Sequence, residues 1–199
     1  MSEQKITNGI DLWFPTAIYF AKDIITEKEN TSLINEAIKL EKTIPNGGEN
    51  WHCDVYTTFD NDDLIQHKKF KNLFEKINEH VKIFAQAHGD DSDYMCVNSW
   101  LNINNKTSFQ EEHTHPSAIF SVIYYLSAPE GSGQTVFKDS KPPDMYPLKN
   151  LKNRNNLSFD QINYKPETGK LLIFRSFTPH LVKTGTNESK RITISANYA

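Results

Sequence analysis

The chain has 199 residues, enough to bury a core within one domain. With 37% hydrophobic residues and a formal net charge of −3, it lacks the basic surplus of a nucleic-acid binder, and no apolar run is long enough to span a membrane. The first residues contain no apolar signal-peptide core, and two cysteines, Cys53 and Cys96, cannot build a disulfide framework, so reduced thiols in a cytoplasmic protein are expected.

In chain order, residues 16–21 read as a first strand. Thr26-Glu27-Lys28-Glu29 is a capping-box pattern that opens a helix through about Lys42, with Leu33, Ile34, Ala37 and Ile38 as its apolar stripe. Asn46-Gly47-Gly48-Glu49-Asn50 is a loop. The spacing of Leu64, Ile65, Phe70, Leu73, Phe74, Ile77, Val81, Ile83 and Phe84 predicts one long helix over 62–88, with Gly89 ending it. That stripe reads as core, and His67, His80 and His88 as surface or rim residues. From residue 93 the pattern changes to strands: 94–103, 109–115, 117–127, 134–138, 160–165, 170–175, 179–183 and 190–198. Residues 138–158 are rich in Lys, Pro and Asn, lack periodicity, and read as a mobile cover for a substrate entrance. There is no internal repeat. The expected organisation is one domain, with a helical support region over 1–92 and a β core over 93–199. The fold class is mainly β with N-terminal helices (α+β), and many short strands suggest a sandwich or barrel.

The chemistry lies in the strand half. His113-Thr114-His115-Pro116 puts two imidazoles at i and i+2, on one face of an extended strand, with Glu111 beside them and Glu112 and Thr114 opposite. His180 follows the apolar run 170–174 and could close a three-ligand site, leaving coordination positions open as a catalytic metal requires. Paired with this constellation, a jelly roll is the natural architecture. Arg191, one of three arginines in the chain, opens the run Arg191-Ile192-Thr193-Ile194-Ser195-Ala196-Asn197, where its planar fork could hold an anionic co-substrate.

The succession His113-x-His115-Pro116, Ile123-Tyr124-Tyr125-Leu126, Gly169-x-Leu171-Leu172-Ile173-Phe174, His180 and Arg191-Ile192-Thr193-Ile194-Ser195 resembles the iron(II)/2-oxoglutarate-dependent dioxygenases. It is most similar to the prolyl-hydroxylase-like branch and its uncharacterised microbial and phage members. The resemblance covers about 95–199, and Trp13-Phe14-Pro15-Thr16-Ala17-Ile18-Tyr19 also resembles the start of such chains. It implies a double-stranded β-helix (cupin-like jelly roll) core packed against long helices. Its activity would be oxidative decarboxylation of 2-oxoglutarate by O2 at Fe(II), with ascorbate as an accessory reductant, coupled to hydroxylation of a C–H bond and release of succinate and CO2. In the resembled enzymes the first motif is His-x-Asp or His-x-Glu, and here His115 stands in the carboxylate position. The first ligand set is therefore His113, His115 and His180; the second is Glu111, His113 and His180, and Asp139 is a further source of a carboxylate. Arg191 matches the basic residue that pairs with the far carboxylate of 2-oxoglutarate, Tyr125 matches a tyrosine bonded to the same group, and Thr193 and Ser195 share the face of Arg191. Asn102 is a weaker candidate for the co-substrate, while Trp51 and Trp100 read as core.

The implied partner is a small-molecule or peptidyl substrate, with no nucleic acid and no membrane, in a monomer or homodimer located in the cytoplasm, or the host cytoplasm if the chain is phage-encoded. Two other readings stay open: a cupin-like three-histidine enzyme using Zn(II) or Fe(II) without 2-oxoglutarate, and a non-catalytic β-sandwich that serves as a binding or virion-associated module.

Overall fold

The computed structural model describes residues 9–10, 12–49, 51–140 and 149–199. Its strands are β1 (Ile18–Lys22), β2 (Tyr56–Thr57), β3 (Cys96–Asn104), β4 (Gln110–His113), β5 (Phe120–Ser127), β6 (Thr135–Lys138), β7 (Gln161–Tyr164), β8 (Lys170–Arg175), β9 (His180–Val182) and β10 (Arg191–Tyr198). Two helices, α1 (Glu27–Thr43) and α2 (Lys71–Ala87), lie in the N-terminal half. The strands form two antiparallel sheets, one ordered β1-β8-β5-β10-β3-β2 and one ordered β4-β9-β6-β7.

Strand alternation gives the six-stranded sheet two different faces. On one, Leu101 and Ile103 of β3, Val122, Tyr124 and Leu126 of β5, Leu171 and Ile173 of β8, and Ile192, Ile194, Ala196 and Tyr198 of β10 form the main core with α1 and α2. On the other, Ile123, Tyr125, Leu172 and Phe174 pack against Phe137 of β6, joining the two sheets. The centre of β5 and β8 is covered on both sides, which is why these strands read as continuous apolar runs. Polar groups caught at the helix–sheet seam are satisfied: the Tyr124 hydroxyl donates to Asn30 at 2.9 Å, Asn30 donates to the Leu126 carbonyl at 2.9 Å, and the Tyr198 hydroxyl donates to Asn78 at 2.7 Å.

The capping box forms as expected, with Thr26 and Glu29 bonding each other reciprocally at the start of α1. Gly89 takes φ +77° just beyond α2, where the amides of Gly89 and Asp90 cap the carbonyls of Gln86 and Ala85. The single helix over 62–88 does not form. Two short 3-10 turns, Leu64–Gln66 and Lys68–Phe70, precede α2, separated by His67 in an extended conformation. Tertiary bonds hold this break: His67 Nε2 lies 2.9 Å from Asp62, and the Ile65 amide donates to Ser99 Oγ of β3 at 2.9 Å. Ile83, counted in the apolar stripe, is 48% exposed.

β1 and β2 extend the large sheet from the N-terminal half, so the expected division at residue 92 is crossed by strand pairing. β2, two residues long, had no counterpart in the sequence reading. The strand expected over 109–115 stops at His113, three residues before Pro116, which has no amide N–H to donate. Pro142, Pro143 and Pro147 of the expected cover lie outside the described residues. The described part from Lys149 to Leu157 is an exposed stretch of turns, and no described residue of 138–158 lines the cavity detailed below. Among the described residues, no helix is long and apolar enough to cross a membrane.

Candidate metal and co-substrate site

His113 ends β4 and His180 opens β9, and the antiparallel register places them directly opposite each other. Cross-strand partners on one face meet, and these two rings lie 4.2 Å apart between centroids. His115 lies beyond the strand end, pinned by its amide donating to the Ser176 carbonyl at 2.9 Å. Its ring stacks on that of His113 at 5.1 Å and meets that of His180 edge-on at 5.1 Å. One ligand atom from each of the three histidines falls within 4.8 Å of the others, the only such cluster among the described residues.

The other ring nitrogens are already engaged. His113 Nδ1 donates to the Glu111 carbonyl at 2.8 Å and His180 Nδ1 to the Thr178 carbonyl at 3.0 Å. His115 Nδ1 lies 2.6 Å from Asn197 Oδ1 and 2.9 Å from Ser121 Oγ. Carbonyl oxygens only accept, so the proton sits on Nδ1 and Nε2 is left as the lone-pair donor; such bonds are what orient metal-binding imidazoles. Burial pushes the His115 pKa down to about 4, with its Asn197 bond opposing and nearby His113 adding to the shift. Burial, reinforced by His113 and His115, holds His180 well below the ordinary histidine value. His115 and His180 are therefore neutral at pH 7, the form a metal requires. The donor set fits a divalent transition metal.

Glu111 and Asp139 stay outside this cluster. The Glu111 carboxylate accepts the His52 amide at 3.3 Å, while Glu112, on the opposite face, pairs with Lys138. Phe174 and Phe137 flank His180 at 4.7 and 5.9 Å and shield that side of the cluster from water.

The histidines open into a cavity of about 400 Å³ whose floor is the polar face of β3 and β10. The register sets Arg191 opposite Asn104, Thr193 opposite Asn102, Ser195 opposite Trp100 and Asn197 opposite Asn98, and all eight line the cavity. Arg191 is completely buried. Nη1 donates to Asn104 Oδ1 at 2.9 Å and Nη2 to Thr135 Oγ1 at 3.4 Å, while Nε has no partner. No carboxylate lies within ion-pair distance of it among the described residues. Burial lowers its pKa, with the Tyr125 hydroxyl opposing, and the guanidinium carbon lies 5.2 Å from the Tyr125 ring centroid. An uncompensated buried guanidinium costs several kcal/mol, so this end of the cavity is built for an anion. Tyr125 itself is enclosed, its hydroxyl 2.6 Å from Thr135 Oγ1, and it does not line the cavity.

Sequence reasoning missed Asn197, Ser121, Asn104 and Thr135, and it placed Trp51 in the core whereas Trp51 is half-buried in the cavity wall. The signal for Asn197 was present: the every-second-residue series Arg191, Thr193, Ser195 continues to it. Trp100 is both buried and cavity-lining.

The profile of the family described as "Putative 2OG-Fe(II) oxygenase" matches residues 98–197, half of the chain. No curated protein sequence matches. Among solved structures, a Pseudomonas putida prolyl-4-hydroxylase superposes with a TM-score of 0.65 at 12% identity, covering 92% of both chains. The viral collagen prolyl hydroxylase of Paramecium Bursaria Chlorella virus-1, in a 2-oxoglutarate complex, gives 0.59 at 16% identity, covering 91% of this chain and 94% of that one. HygX from Streptomyces hygroscopicus, with nickel, 2-oxoglutarate and hygromycin B bound, gives 0.64 at 12% identity over 92% and 83% of the two chains. These likenesses are of fold: the two antiparallel sheets are those of a jelly roll.

Proposed function

The chain belongs to the 2OG-Fe(II) oxygenase family, and from that premise we propose that His113, His115 and His180 hold the iron and that Arg191, with Thr193 beside it and Tyr125 behind it, holds the far carboxylate of 2-oxoglutarate. One observation carries this reading: a fully buried arginine without an acidic partner lines the same cavity as three oriented, converging imidazoles. When bound, iron, 2-oxoglutarate and O2 supply the oxidising chemistry, in which 2-oxoglutarate yields succinate and CO2 and a substrate C–H bond becomes C–OH.

The protein's part is to bind, orient and exclude water. The carbonyls of Glu111 and Thr178 and the Asn197 side chain keep the imidazoles in the ligating tautomer. Three neutral histidines leave both charges of Fe(II) uncancelled, and the 2-oxoglutarate dianion balances them without a protein carboxylate. Arg191 contributes a fork that matches a carboxylate. A three-histidine enzyme working without 2-oxoglutarate would give the buried Arg191 nothing to pair with.

The substrate is peptidyl or a small molecule; among the proteins that share the fold, some are prolyl hydroxylases and one was solved with hygromycin B. A double-stranded β-helix backed by α1 and α2 acts as one catalytic domain, with 93–199 carrying the metal and co-substrate residues and 1–92 supporting it and adding Trp51, Val55 and Phe59 to the cavity wall, in a cytoplasmic monomer or homodimer. The test is iron stoichiometry together with succinate formation from 2-oxoglutarate under Fe(II) and ascorbate. One iron per chain and 2-oxoglutarate-dependent succinate are expected. Tight Zn(II) binding with no succinate under any condition would replace this reading with the cupin-like one.

A further inference from the structure

The cavity has two chemically different ends. Along β10 and β3, Arg191 faces Asn104 and Ser195 faces Trp100, so four residues of strand, roughly 13 Å, separate the buried cation from the indole. At the Trp100 end the wall is aromatic. Trp51 and Phe59 lie 5.6 Å apart, Phe59 meets Trp100 edge-on at 5.1 Å, and Trp100 sits 5.6 Å from His115. Trp51 and Phe59 belong to one tightly closed segment. Gly47 donates to the Thr57 carbonyl at 2.8 Å, and a Cβ on Gly47 would fall 1.6 Å from the Phe59 carbonyl oxygen. The wall is thus preformed, not loosely draped.

The same end is negatively charged. Glu111 lines the cavity and accepts the amide of His52, next to Trp51. Between Lys42 and Lys68 the chain contains Glu49, Asp54, Asp60, Asp62 and Asp63 and no lysine or arginine. A neighbouring cavity of about 360 Å³ shares Phe59, Asn98 and Trp100 with the first and is lined by Asp60, Asp62 and Asp63. Arg191 is the only lysine or arginine lining the main cavity among the described residues. Asn98 and Asn102 each leave a buried side-chain oxygen without a donor.

Aromatic faces attract cations through the ring quadrupole, carboxylates add Coulomb attraction, and unpartnered amide oxygens seek N–H donors. All three favour the same guest. We propose that the substrate carries an ammonium or guanidinium group on an apolar stem, and that this group docks against Trp51, Phe59 and Glu111 while a carbon of the stem is presented to the histidine cluster. This rests on the oxygenase reading above. A basic side chain within a peptide and a free amine share the required chemistry. A neutral ring would fill the aromatic wall but leave Glu111 and the acidic surround unused.

The test uses the full chain with Fe(II), following 2-oxoglutarate consumption without substrate, with a lysine-containing decapeptide, with 1,5-diaminopentane, and with an uncharged proline–alanine decapeptide. At least one cationic probe is expected to stimulate consumption severalfold over the substrate-free rate, and which one does so separates a peptidyl from a free amine. The uncharged peptide is expected to have no effect. Glu111→Gln and Trp51→Ala should each raise KM for the stimulating cation, by roughly 2- to 30-fold for an interaction of about 0.5–2 kcal/mol. Trp51→Phe should fall between, and added salt should mimic Glu111→Gln. Stimulation by the uncharged peptide alone, stimulation by neither cation, or an unchanged KM in both variants would overturn the proposal. Absence of any 2-oxoglutarate consumption would instead overturn the oxygenase reading; quenching of tryptophan fluorescence by the two cations, with saturation or without it, then decides the cation site directly.

Discussion

The two faces of β10 are built from alternate residues of one strand and could hardly differ more. Ile192, Ile194, Ala196 and Tyr198 sit in the main core beneath the helices, while Arg191, Thr193, Ser195 and Asn197 are also buried but polar, and they look into the cavity. The first face is explained by transfer of apolar area from water. The second gains nothing from that term. Its arginine lacks a carboxylate, its Nε lacks any partner, and a row of asparagines faces it across β3. A buried polar row of this kind destabilises the free protein unless a ligand completes it, so the difference between the faces separates what holds the fold from what the fold is for.

Substitutions can break that comparison. The largest effect is expected for His180→Ala, which should abolish iron binding and turnover together; full iron occupancy in that variant would remove the three-histidine assignment. If His115→Ala retained iron while Glu111→Ala lost it, the ligand set would instead be Glu111, His113 and His180. On the apolar face, Ile194→Ala should cost about 2–5 kcal/mol of stability while leaving iron stoichiometry at one per chain, read by denaturant unfolding and metal analysis. Asn197→Leu should reverse that pattern. Folding is kept, but His115 loses its orienting acceptor, and metal affinity should drop about 10- to 100-fold. Equal affinity in the variant would mean that the imidazole is oriented by Ser121 alone.

The smallest effect is a pH dependence of the metal-free protein. His115 and His180 have folded-state pKa values below their unfolded ones because burial penalises the imidazolium. Their contribution to stability is full above about pH 6.5 and is lost as pH falls toward the His115 value of about 4. Tm of the metal-free wild type should fall across that window more steeply than Tm of His115→Asn. Parallel curves would show that His115 is not buried in its neutral form.

The readable parts of the molecule were those whose pattern is local. β8 occupies the expected 170–175, and β9 and β10 open on His180 and Arg191, because β-branched and aromatic runs bounded by turn residues need no tertiary information. The capping box likewise lies within four residues. Failures fell where distant contacts decide. Apolar spacing runs on through Leu64 and Ile65 as if helical, yet Ser99 of β3 and Asp62 hold the chain in short turns around an extended His67. β2 is too short to show alternation. Trp51 carries no sign of whether a core or a cavity will receive it; only the closure of its loop against the β3 edge decides that. For the site, the spacing of His113, His115, His180 and Arg191 was visible, while Asn197 and Ser121 beside His115 and Asn104 and Thr135 beside Arg191 come from other strands and were not.

The most direct measurement is 2-oxoglutarate affinity, taken anaerobically on the iron-loaded protein, for wild type, Arg191→Lys and Arg191→Ala. A charge-assisted fork of this kind is worth about 1.5–3 kcal/mol, so Arg191→Ala should bind roughly 10- to 150-fold more weakly. Arg191→Lys, which keeps the charge and loses the fork, should fall between, with iron affinity unchanged in both. An Arg191→Ala protein that binds 2-oxoglutarate as tightly as wild type would contradict the assignment of the polar face of β10 to the co-substrate.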